Sequence, residues 1–201
     1  IHVQLKRSVA VKVFAAPFGG TPEARSTFAA EWEVLKQIQH PAIVRCYGGG
    51  FEEKEAYLAH ELIEGPTLAR ELERRSRLSW ESVLDLAEAL TGALQLLHEK
   101  ELVYGVVQPE KVLFAGLSPV LIDVRVDRAA TLYRTNHAVT PEEMTYWSPE
   151  LGENSTAFSV HGDLYSLGAT LYKALTGRGV VSGTSVEEVR GNVLYEDRKS
   201  T

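Results

Sequence analysis

The 201-residue chain is poor in several things that sort proteins into classes. It holds a single cysteine, Cys46, so no internal disulfide can form and the thiols of a metal cluster are missing. Its neighbours Ile43, Val44 and Tyr47 mark that thiol as buried and structural. A basic excess is missing too: 21 Lys and Arg stand against 27 Asp and Glu, a net charge of −6, which speaks against nucleic acid or an anionic membrane as partner. No apolar run approaches the roughly 20 residues of a membrane-spanning helix. Neither a signal peptide, an internal repeat nor a low-complexity tract is visible. What is present is 44% hydrophobic residues, enough for a sizeable core. The expectation is a soluble cytoplasmic domain with no direct membrane insertion, free or as the cytosolic part of a larger or membrane-tethered protein.

Patterning predicts an α+β chain with a boundary near Gly65. Ser8 to Phe14 alternates β-branched residues and reads as a strand. After a Gly19-Gly20 loop, Thr21-Pro22-Glu23 is a helix start, with a hydroxyl cap, proline at the first position and an early acid. Phe28, Trp32, Leu35 and Ile38 recur on one face of that helix. Ile43–Tyr47 and Ala56–Ile63 read as two strands about a Gly48-Gly49-Gly50 turn. Beyond residue 66 the chain turns helical. A short polar helix covers Leu68–Arg74, and Ser79 caps a long one with Val83, Leu86, Leu90, Ala93, Leu94 and Leu97 on its apolar stripe. Val112–Phe114 and Val120–Asp123 are short strands about a Gly116-to-Pro119 turn. A loop-rich span, 124–158, leads to an apolar helix from Asp163 that Gly177 ends.

The stretch Tyr104-Gly105-Val106-Val107-Gln108-Pro109-Glu110-Lys111, set between the long helix and the two short strands, resembles the catalytic loop of protein kinases, His-Arg-Asp-Leu-Lys-Pro-Glu-Asn. Other segments follow in the family's order. Val9-Ala10-Val11-Lys12 resembles the strand carrying the phosphate-binding lysine, Glu31 the helix glutamate that pairs with it, and Asp123 the aspartate that opens Asp-Phe-Gly. His60 falls at the gatekeeper, Glu61-Leu62-Ile63 at the hinge, and Ala10 and Leu113 beside the adenine slot. Ser148-Pro149-Glu150 resembles Ala-Pro-Glu, and Asp163 the aspartate that anchors the catalytic loop. The resemblance implies a two-lobe kinase-like fold, trimmed at both ends. Residues 1–64 are then a small, mostly antiparallel lobe with one helix, and 65–201 a larger helical lobe. No Gly-x-Gly-x-x-Gly loop precedes Lys12, and the sequence stops near a further helix at 186–197. Each residue also has a plainer reading: Lys12 and Glu31 as solvated surface charges, His60 as a satisfied core histidine, Asp123 as a turn residue and Asp163 as a helix cap.

Within the resemblance, Val106 stands for the catalytic aspartate, Gln108 for the lysine and Lys111 for the metal-binding asparagine. A hydrocarbon cannot take a proton, and an ammonium cannot bind Mg²⁺. The expectation is therefore a pseudokinase: a regulatory or scaffolding module with protein partners, weak or no ATP binding through Lys12, Glu31 and Asp123, and no catalytic residue at work. No cofactor is required, and Mg²⁺ is bound weakly or not at all. The alternative is a weak serine/threonine kinase, or another phosphoryl or nucleotidyl transferase, using the same three residues. Lys111 is expected either to pair with Asp123 in place of a metal or to turn to solvent. Leu35, Cys46, Tyr104 and Val124, anchored by Asp163, correspond to a packed spine between the lobes. Arg125 for glycine stiffens the segment after Asp123, and Gly105 removes the arginine that reads phosphorylation. Thr131, Tyr133, Thr135, Thr140, Thr145 and Tyr146 are thus poor switch candidates.

Overall fold

The computed structural model describes residues 8–14, 21–53, 55–124 and 139–196. The Gly19-Gly20 loop, Arg125, Thr131, Tyr133, Thr135 and both chain ends lie outside them.

The first lobe is a three-stranded antiparallel sheet in the order β1 (Val9–Phe14), β3 (Glu55–Glu61), β2 (Cys46–Glu52), with helix α1 (Pro22–Gln37) against it. Thr21 caps α1, its hydroxyl accepting from Ala24 N at 3.1 Å. The helix is held by rings: Phe28 meets Phe14 edge-on at 5.3 Å and Trp32 edge-on at 5.5 Å, and Phe51 closes the cluster from β2. The three glycines are not a turn, as their composition predicts, but the body of β2, with the reversal falling after Glu52. A Cβ on Gly49 would meet Trp32, Leu58 and the Tyr57 carbonyl, each at 2.7 Å. Glycine there serves close approach rather than reversal.

The second lobe opens with α2 (Leu68–Arg75) and α3 (Trp80–Glu99). All six residues of the α3 stripe are buried. Full burial of each leucine is worth roughly 1.5–3 kcal/mol. A single 3₁₀ turn, Pro109–Lys111, leads into the hairpin β4 (Val112–Ala115) and β5 (Ser118–Leu121). The hairpin's turn is shorter than the spacing implies, because Ser118 and Pro119 already pair with Ala115 and Phe114. The span read as loop carries two short helices, α4 (Pro141–Met144) and α5 (Pro149–Glu153). Helix α6 (Val160–Thr176) begins three residues before Asp163, capped by Ser159, and ends at Gly177 with φ 76°. α7 (Val186–Glu196) packs on α4 and α5.

Backbone hydrogen bonds join the lobes. Leu121 N donates to Ala42 O and Val44 N to Leu121 O, both at 2.9 Å, so residues between α1 and β2 extend the hairpin of the second lobe. No helix among the described residues is long and apolar enough to cross a membrane.

Candidate functional site

Between the lobes lies a mostly apolar cleft of about 440 Å³. Ala10 and Lys12 come to it from β1, His60 and Glu61 from β3, and Ile63 from the connection between lobes. Lys111, Leu113 and Asp123 form the wall from the second lobe. Six of the seven residues assigned to nucleotide from sequence thus share one cavity. Glu31 is the exception. It sits on α1, outside the cleft lining.

Lys12 Nζ is bonded to Asp123 Oδ1, with Phe14's ring 4.8 Å away. This contact is neither of the two pairs expected from sequence, Lys12–Glu31 and Lys111–Asp123. Asp123, two residues beyond β5, has φ 61°. Lys111 is nonetheless next door: its carbonyl accepts from Ile122 N at 3.0 Å, and both lysines line the cleft.

His60 is not the satisfied core histidine its surroundings predict. It is 8% exposed, and its Nδ1 is buried without a hydrogen-bond partner. Burial first, and then the Lys12 charge, hold its pKa below the ordinary 6.5, with Asp123 pulling weakly the other way. The ring is therefore neutral near pH 7.

The loop 104–111 is anchored from α6. Asp163, fully buried, accepts from Tyr104 N (2.8 Å), Gly105 N (2.7 Å) and His98 Nε2 (2.8 Å). Burial raises its pKa, and these three bonds offset part of that rise. Asp163 is thus the loop's clamp rather than a helix cap. Val107 is held at both ends, its N–H donating to Ser166 Oγ and its carbonyl accepting from Thr170 Oγ1. Tyr104, Leu35, Cys46 and Val124 are buried in one apolar cluster, and the Tyr104 hydroxyl donates to Ile122 O at 2.6 Å.

Val106 does not face the cleft. It packs in a second cluster with Met144, Tyr146, Trp147 and Leu151 from the α4–α5 region. Gln108 is buried as well, and Glu150 is exposed in the first turn of α5. Sequence reasoning missed Val44, Ile122 and Glu110 as cleft residues. Ile122 and Glu110 carried a signal, since they adjoin Asp123 and Lys111 in the sequence. Val44 carried none, because no residue beside it was assigned to the site. Among the described residues no group of three His, Cys, Asp or Glu could hold a metal ion.

The sequence matches the family model described as protein kinase domain over residues 1–198. It is 31% identical over 199 residues to the serine/threonine-protein kinase PknL of Mycobacterium bovis, covering 98% of this chain and 50% of that protein. It is 32% identical over 191 residues to PknA of Mycobacterium tuberculosis, covering 90% of this chain and 43% of the relative. This chain thus spans half or less of these relatives' length. In fold it is similar to Rad53 1–466, solved in complex with AMP-PNP, with a TM-score of 0.74 at 18% identity over 95% of this chain and 47% of that one.

Proposed function

This chain belongs to the protein kinase family, and from that premise we propose that it is a pseudokinase: a kinase-shaped regulatory module whose cleft admits a nucleotide but does not transfer its phosphate at kinase rates. The observation that carries this reading is the burial of Val106 among Met144, Tyr146 and Trp147. Phosphoryl transfer depends on positioning, charge stabilisation and a base that orients the acceptor hydroxyl. A valine offers no base, and losing one costs typically ~10²–10⁴ in rate. A family member turning over at about 1–100 s⁻¹ would fall to a slow residual. Support for nucleotide binding comes from the apolar walls Ala10, Val44 and Leu113, with Lys12 at one end and the Glu61–Ile63 connection at the other.

Kinship favours a second reading. The relatives are named serine/threonine-protein kinases, and Lys12 and Asp123 are both present in the cleft. On that reading the chain is a weak serine/threonine kinase, or another phosphoryl or nucleotidyl transferase, using Lys12, Glu31 and Asp123. Radiolabel transfer from ATP, with Asp123→Ala as control, separates the two. The pseudokinase reading expects incorporation no greater than that of the control. Turnover within the family's range that disappears in Asp123→Ala would overturn it. Thermal melts with ATP test the cleft itself, since a ligand at 100 times its Kd adds about 2.7 kcal/mol of stability.

A further inference from the structure

Side chains alternate along β3. Ala56, Leu58 and His60 are buried, while Glu55, Tyr57 and Glu61 are exposed. The inward row that begins with alanine and leucine thus ends on a ring with two nitrogens. His60 sits on the middle strand of the sheet, opposite Ala10 on β1 and Cys46 on β2, and borders the cleft. Its Nδ1 is sealed from solvent and unpartnered. A leucine would fill the same place with no orphaned atom, so the histidine there lowers stability. A polar group retained against that penalty, on the wall of a cavity, points to a ligand.

What the ring offers a ligand depends on which nitrogen carries the proton. Burial keeps it neutral, and a neutral imidazole has one donor and one acceptor. In protein interiors an orphaned N–H is rarer than an under-satisfied acceptor. The sealed Nδ1 therefore keeps its lone pair, and Nε2 carries the hydrogen and is left for the cleft. The acids of the lining, Glu61, Glu110 and Asp123, accept hydrogen bonds when ionised, and the Lys12 ammonium is bonded to Asp123. Ala10, Val44, Leu113 and Ile122 add apolar wall.

We propose that the Nε2–H of His60 selects the base of the bound nucleotide, favouring a purine with an oxygen at position 6, as in guanine and hypoxanthine, over adenine. The inference rests on the nucleotide reading of the cleft. A purine lying between Ala10 and Leu113, with its phosphates at Lys12, turns the edge of its six-membered ring toward the end of β3. A 6-oxo group at that edge accepts from Nε2. The 6-amino group of adenine sets hydrogen against hydrogen, so both donors lose water and neither gains a partner.

The test is titration calorimetry of the whole chain near neutral pH with ATP and ITP, in excess Mg²⁺ and again in EDTA. The two nucleotides share ribose and phosphates and differ only at position 6 and the adjoining N1, so their ratio isolates this contact. ITP is expected to bind about tenfold more tightly than ATP. His60→Leu, or His60→Met where leucine does not fold, brings the two affinities together by weakening ITP. ATP bound by the parent chain as tightly as ITP, or more tightly, would overturn this inference and leave the nucleotide reading intact. A preference for ITP that persists in the variant would belong to another group and overturn it as well. No binding of either nucleotide under either condition would overturn the nucleotide reading, and this inference with it.

Discussion

At the scale of single residues, two side chains define the site by what surrounds them. Val106 was legible as a residue unable to take a proton, but its packing was not, because Tyr146 and Trp147 lie some forty positions away and nothing local points to them. Val106→Asp is expected to cost stability rather than restore turnover, since it would set a carboxylate in an apolar cluster. A loss of roughly 2–5 kcal/mol follows, measured by urea unfolding, with no gain in radiolabel transfer. For His60 the sequence carries a signal for burial and none for the missing partner of its Nδ1. Its folded pKa lies below the 6.5 of an unperturbed histidine, so the unfolded chain takes the proton first. Stability contributed above pH 6.5 is therefore lost as pH falls from 6.5 through the folded value. His60→Leu should flatten that part of the melting-temperature profile. It should also raise stability at pH 7 by about 1–3 kcal/mol, because an unsatisfied buried nitrogen disappears. A mutant profile as steep as the parent's would show that the slope belongs to other groups.

At the scale of elements, the helices were the most readable part. Thr21, Ser79 and Gly177 announce ends through cap chemistry that needs no tertiary information, and the α3 stripe repeats at the helical period. The strands were less so. Gly48–Gly50 matches the composition of a turn, and the aromatic cover that makes it a strand comes from Trp32 and Tyr57. The loop clamp shows the same division: Asp163 was placed by resemblance, while its three bonds belong to the folded state. Asp163→Ala leaves Tyr104 N and Gly105 N buried without acceptors and should cost about 2–5 kcal/mol. For a domain of this size that lowers the melting temperature by roughly 5–15 °C. A fall of a degree or two would mean that water replaces the carboxylate.

At the scale of the whole molecule, the question is what sets the lobes against each other. The Lys12–Asp123 pair spans the cleft, yet exposed pairs of this kind contribute about 0–1 kcal/mol. Lys12→Ala should therefore shift the melting temperature by no more than about 2–4 °C, whatever it does to nucleotide. Its identity is beyond sequence reasoning, since two acids and two lysines are all plausible partners and their meeting depends on the tertiary fold. The backbone bonds of Leu121 with Ala42 and Val44 are a different kind of tie. Being main chain, the seam is indifferent to which side chains decorate it, and swaps along it leave the stitching whole. Only an imino acid at position 44 or 121, which strips out the N–H, would cut a thread.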